Sequence, residues 1–243
     1  MQKILCVGDG YGKGHIWPMW PQLLSALLDN YQIVNYSEVG AGNEFITNRV
    51  LSACSSGKYD IVLVQWALST RLDIINNNEN KISPFILKDK VYNKSYSNIK
   101  LDNRHWWLSS NSQTDYVKKY HNQYISREQH KLRSINQIKL VELILKEIKI
   151  NKFLFFSSYK LDFLKLKEAN IIDWTVWNDM HGHNSMQEYG DSVLPQYKTT
   201  EVQPHPLVHL NYIKEIILPK LNIIIDEKKV KNLSQELEKN YKI

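Results

Sequence analysis

The apolar positions of this chain fall into short runs separated by turn-forming residues. Residues 3–7, Lys-Ile-Leu-Cys-Val, form one such run, and Gly8-Asp9-Gly10 stops it at once. Pro18 and Pro21 lead into a segment carrying Leu23, Leu24, Ala26, Leu27 and Leu28, whose spacing predicts a helix. A second strand is predicted over 32–36, followed by a glycine-bearing turn (Gly40, Gly42) and a helix from Glu44 to about Ser55. Residues 60–65 are a continuous β-branched run of the kind buried on both faces of a parallel sheet. Three strands alternating with two helices predict βαβ units with right-handed crossovers.

The second half is less even. Residues 66–114 carry Asn76-Asn77-Asn78 and Ser83-Pro84 and show no sustained period, which marks an insertion or lid. Tyr92, Tyr96, Trp106 and Trp107 lie there, as a stacking platform for a sugar or as ties to the sheet. Residues 115–149 read as a long helix with a break near Ser126, and 152–156 as strand four. A short helix over 162–168, a fifth strand over 171–177 and a loop to about 200 come next. His205-Pro206 feeds a helix running through Ile217, which Pro219 should kink or end. Residues 227–243 read as a polar tail of mixed charge. The expected architecture is one domain over 1–243, a three-layer flavodoxin-like α/β fold with parallel strand order 2-1-3-4-5.

Composition narrows the classes. With 243 residues, 43% of them hydrophobic, the chain can bury a sizeable core. The net charge of +6 is scattered, which argues against a nucleic-acid surface. Cys6 and Cys54 have no metal or redox spacing and read as buried thiols of a reducing compartment. No run approaches the ~20 apolar residues of a membrane span, and no signal peptide is visible. The expectation is a soluble, cytoplasmic protein without a membrane partner.

The chemistry should sit at the carboxyl end of the first strand, where open α/β sheets present ligands. The Gly8-Asp9-Gly10 turn resembles the first block of the SGNH (GDSL) hydrolases, Gly-Asp-Ser, with glycine where that family has its nucleophile. Gly42, or less favourably Gly40, matches the second-block glycine. In place of the family's Gly-x-Asn-Asp, the third block reads Trp66-Ala67-Leu68-Ser69-Thr70-Arg71, a form that resembles a branch from tailed phages. His205-Pro206 resembles the fourth block, with His209 four residues on, but Val202 and Gln203 stand where its aspartate would be sought.

The resemblance implies an esterase or deacetylase-type site on acylated carbohydrate. In it His205 is the base, Asp9 and Arg71 are catalytic helpers, and Gly10, Gly42 and Asn43 form the oxyanion turn. Trp66, Ser69, Trp106, Trp107 and His209 face the substrate. No cofactor or metal is implied: His205 and His209 with His181 or His183 could hold a metal, but no carboxylate or cysteine cluster accompanies them. Since Gly10 offers no hydroxyl, two readings stand. One is a hydrolase with a degenerate set, in which His205 activates water or Asp9 is recruited. The other is a non-catalytic protein that binds a glycan or small molecule, or serves as a homo-oligomeric or virion-associated structural component.

Overall fold

The computed structural model describes residues 1–13, 18–71, 73–76, 96–98, 105–108, 126–177, 185–197 and 204–241. Its centre is a parallel sheet of β1 (Gln2–Val7), β2 (Tyr31–Asn35), β3 (Ile61–Trp66) and β7 (Lys152–Ser157), joined at one edge by β5 (Tyr96–Asn98). The spatial order is β5-β2-β1-β3-β7. β1 pairs in parallel with both β2 and β3, with Leu5 opposite Val34 and Val62. β3 continues the parallel pairing to β7. The chain is thus an α/β protein in which the first four predicted strands take the expected order 2-1-3-4.

Alternate residues of each strand feed two cores, as the two-residue period of a strand requires. Ile4, Cys6, Leu63, Leu154 and Phe156 face one side. That side is covered by α2 (Trp20–Leu27), α5 (Met186–Val193) and α6 (Pro206–Tyr212). Leu5, Val7, Val62, Val64 and Phe155 face the other, against α3 (Asn43–Ser56) and α4 (Arg127–Glu147). Helices therefore flank both faces. Among the described residues, no helix is long and apolar enough to cross a membrane.

Three expectations need correction. Residues 171–177 are not a strand: Lys167–Ile171 and Trp174–Val176 form 3-10 turns, and only Trp177 bridges Phe155. The cause is Asp173, whose carboxylate accepts from the Thr175 amide at 3.0 Å and curls the chain. It also binds Lys146 at 2.7 Å, which fastens the turn to α4. The helix expected over 162–168 likewise begins only at Lys167. The polar tail is mostly α8 (Glu227–Asn240), with Val230, Leu233 and Leu237 buried along one stripe. Three- and four-residue spacing of those apolar positions is enough to dock an otherwise charged helix.

Pro219 is absorbed rather than obeyed at once. A π-helical stretch, Ile213–Ile217, widens the helix before α7 (Leu218–Leu221), and the chain leaves at Asn222 with φ 53°. Within the irregular 66–114 stretch, β4 (Asp73–Asn76) pairs antiparallel with β6 (His105–Leu108). The predicted break near Ser126 is the N-cap of α4, where the Ser126 hydroxyl accepts from the Gln129 amide at 3.1 Å. Ser126→Ala should therefore cost about 1 kcal/mol in urea unfolding. An unchanged midpoint would show that the cap contributes nothing.

Candidate functional site

The turn after β1 is built around Asp9, which is fully buried. Its Oδ1 accepts from the Tyr11 amide at 3.0 Å, and its carbonyl accepts from the Gly12 amide at 2.9 Å, opening the short helix α1 (Gly10–Lys13). Gly12 comes so close to Ser37 that an added Cβ would lie 2.1 Å from its hydroxyl oxygen, so only glycine fits there. Asp9 Oδ2 pairs with Arg71 Nη1 at 2.8 Å. The same Nη1 donates to the Ala41 carbonyl at 3.2 Å. One guanidinium thereby ties together the segments that follow β1, β2 and β3.

Tyr11 packs beside this pair, its ring centroid 5.3 Å from that of Tyr159. Its hydroxyl donates to Gln187 Oε1 at 2.6 Å. Burial, then the neighbouring Tyr159 hydroxyl, push the Tyr11 phenol far above its ordinary value, so it stays neutral.

The N-terminus of α3 holds a residue that no sequence pattern indicated. Gly42 is its N-cap and has no side chain to satisfy the first amides. Asp73 of β4 does so instead: Gly42 N–H donates to Oδ1 at 2.7 Å and Phe45 N–H to Oδ2 at 2.8 Å. An added Cβ at Gly42 would lie 2.7 Å from Asp73 Oδ2 and 2.9 Å from the Arg71 carbonyl, so the glycine permits the approach. Burial pushes the Asp73 carboxyl up to about 6, against the pull of the two amides. The amide cast as an oxyanion donor already holds a carboxylate.

The remaining residues divide between site and scaffold. Asn43 accepts from the Ala67 amide at 2.9 Å and donates to the Ala67 carbonyl at 3.2 Å and to Ser134 Oγ at 2.9 Å, which locks α3 to the end of β3. Its amide is engaged in the scaffold. Trp66 is a core residue, edge-on to Phe155 at 5.5 Å, and so cannot face a substrate. Ser69 Oγ donates to Asp162 at 2.7 Å. The backbones of Trp106 and Trp107 pair with Ile75 and Ile74; the sugar platform expected of their side chains lies outside the described residues.

His205 departs most from its expected role. As N-cap of α6, its Nδ1 accepts from the Leu207 amide at 3.2 Å, which places the proton on Nε2. Nε2 donates to the Tyr241 carbonyl at 2.7 Å, at the end of α8. Tyr197 stacks on the ring at 4.9 Å, and burial holds its pKa below the usual histidine value. With both nitrogens engaged, His205 ties the C-terminal helix to the fold and has no nitrogen left for a base at the β1 turn.

His209 instead reaches the turn, edge-on to Tyr11 at 5.8 Å. Complete burial, then the adjacent His205, push its pKa to about 3, so its ring is neutral. Among the described residues neither of its nitrogens makes a hydrogen bond, and the Pro204 backbone nearby opposes the downward shift. His181 and His183 lie outside the described residues. A small polar cleft opens beside the Asp9–Arg71 pair, between α3 and α4.

No protein-family model matches the chain, and no curated protein matches it. Solved structures do resemble it in chain path. A catalytic mutant of Axe2, an acetylxylan esterase from Geobacillus stearothermophilus, is 12% identical with a TM-score of 0.48, over 92% of this chain and 95% of that one. TesA is 11% identical with a TM-score of 0.46, over 90% and 98% of the two chains. A member of the lipolytic protein G-D-S-L family from Veillonella parvula DSM 2008 is 10% identical with a TM-score of 0.39, over 99% and 100%.

Proposed function

We propose that this chain is an SGNH hydrolase-like protein whose esterase-type frame serves binding rather than ester hydrolysis. The observation that carries this reading is internal satisfaction of the groups a hydrolase would aim at its substrate. Gly10 supplies no nucleophile. The Gly42 amide is bound to Asp73, Asp9 to Arg71, and both nitrogens of His205 to backbone groups. Oxyanion stabilisation requires donors that point at developing charge and have no prior partner. The ligand is a small molecule or glycan, and a structural role in a virion is compatible with the same arrangement.

The test is direct. Wild-type protein should resist labelling by a fluorophosphonate probe and hydrolyse p-nitrophenyl acetate at the background rate. Gly10→Ser should not create turnover above background either, because His205 has no nitrogen to take the proton. Turnover well above background in the wild type, lost on purification-independent controls such as Asp9→Asn, would overturn the proposal. A melting curve for each variant separates loss of fold from loss of chemistry.

A further inference from the structure

The long helix α4 has two unlike sides. Ile135, Ile138, Val141 and Leu145 are buried in the core under the sheet. The opposite side carries Leu132, Leu140 and Leu143, which stay 38%, 42% and 53% exposed. At about 100° per residue these three share one arc with Gln129, Asn136 and Glu147, a stripe roughly 27 Å long. Single exposed leucines are ordinary. Three along one line of a helix form a seam, and among the described residues nothing covers it.

The seam is nearly the same read from either end. Position 129 mirrors 147, 132 mirrors 143 or 144, and 136 mirrors 140, about a centre at Ile138. A two-fold axis needs that pattern, since in an isologous contact each residue meets its mirror position on the other copy. Laid antiparallel on its own image, α4 sets Leu132 against Leu143 of the second copy, twice over. Asn136 and Leu140 meet beside the axis.

The polar groups match in the same register. The Gln129 amide faces the Glu147 carboxylate of the second copy, and neither side chain is engaged elsewhere among the described residues. On the neighbouring flank Glu128 faces Lys146. Lys146 gives one proton to Glu142 and one to Asp173, which leaves its third for that contact. A parallel pairing would instead put Glu128 beside Glu128 and Lys146 beside Lys146, so charge selects the antiparallel one. The helix dipoles favour it as well.

We propose that α4 is a homodimerisation surface, pairing antiparallel with α4 of a second copy across the Leu132, Leu140 and Leu143 seam. One helix pair of this length buries less than the ~1,600 Å² of a standard interface, so the dimer is a reversible one. Asn43 and Ser134 hold the first half of α4 beside the carboxyl end of β3. Reversal about the axis therefore places the two β1 turns at opposite ends of the dimer. The contact is closed by its own symmetry and does not propagate into a filament. It is independent of whether the β1 turn binds or hydrolyses a ligand.

Sedimentation equilibrium of the full chain, from about 1 to about 500 μM, reads the association. A monomer–dimer equilibrium with a Kd of about 10–100 μM is expected. Leu143→Glu, shown folded by its melting curve, should remain monomeric throughout. Gln129 tests the register. Gln129→Lys would face Glu147 and should tighten the dimer ~3–10-fold, whereas Gln129→Glu should weaken it as much. Within the helix itself the two changes act the other way, because a first turn favours Glu over Lys. Altered folding therefore cannot imitate the expected pair of shifts.

A chain that stays monomeric at the highest concentration would overturn the proposal, whatever else covers the seam. So would a dimer that persists in Leu143→Glu, or Gln129 variants that fail to move the Kd in opposite directions.

Discussion

Arg71→Ala is expected to destabilise the protein by about 3–5 kcal/mol, because it leaves the carboxylate of Asp9 buried without its partner. The Arg71 side chain is only 13% exposed and Asp9 is fully buried, so solvent cannot replace the lost charge. For a chain of this size the loss corresponds to a fall in Tm of roughly 6–20 °C. The double variant Asp9→Asn with Arg71→Met removes both charges and should recover a large part of that loss. Urea unfolding of the three variants reads the comparison. If Arg71→Ala costs less than about 1 kcal/mol, the ion pair is not what holds the three strand ends together.

The second large effect concerns Asp73, and it has a sign opposite to that of ordinary surface carboxylates. Burial raises its folded pKa from 3.8 to about 6, so the native state holds its proton more tightly than the unfolded chain does. The stability this proton linkage supplies is fully present below about pH 4 and is lost as pH rises through about 6. Two pH units at ~1.4 kcal/mol each set an upper bound of about 3 kcal/mol. Asp173 works the other way. Lys146, then Thr175, pull its pKa down to about 2, so its contribution is present above about pH 4 and lost as pH falls toward 2.

Asp73→Asn isolates the first effect. It should remove the fall in stability between pH 4 and pH 6. It should also cost about 1–3 kcal/mol at pH 4, since an amide can accept only one of the two buried N–H groups. Unfolding free energy measured against pH in wild type and variant gives the difference curve. A difference that is flat from pH 4 to pH 6, or that slopes the other way, would show that Asp73 does not carry the buried charge.

Both variants act on one assembly. Asp9, Arg71, the Ala41 carbonyl, Gly42 and Asp73 join the ends of β1 and β3 to the start of α3 through contacts shorter than 3.3 Å. A site that stabilises an oxyanion must keep donors open for the charged intermediate. Here the donors are held by the protein's own carboxylates, which makes the region a stable floor beside the polar cleft.

The local pattern was sufficient for the sheet. Residues 3–7, 32–36, 60–65 and 152–156 are short β-branched or aromatic runs, and each is a parallel strand within a residue or so of its expected bounds. A run of that composition has few other ways to hide its apolar side chains once helices cover both faces. The Gly8-Asp9-Gly10 turn and the break near Ser126 were legible for a similar reason, since each depends on neighbours in sequence; that the break is the start of α4 came from the structure, and the helix expected over 115–125 lies outside the described residues. Residues 171–177 were misread because Ile171, Ile172, Trp174 and Val176 carry strand-like composition. The turn is instead set by Asp173 reaching Thr175 and Lys146, and one of those partners lies 27 residues away.

The site shows the same division more sharply. Nothing around Asp73 marks it as the cap of a helix that begins 30 residues earlier, and nothing around His205 shows that Tyr241, 36 residues on, will occupy its Nε2. A hydrogen bond between distant residues leaves no period and no spacing in the sequence. It exists only because β4 and α8 dock where they do, and docking is decided by the sum of buried apolar contacts rather than by the two residues that happen to meet. The chain's own order of residues therefore determined the strands, the glycine turn and the absence of a nucleophile at Gly10. Tertiary packing decided which groups that turn would find as partners, and so whether its donors would be open to a substrate.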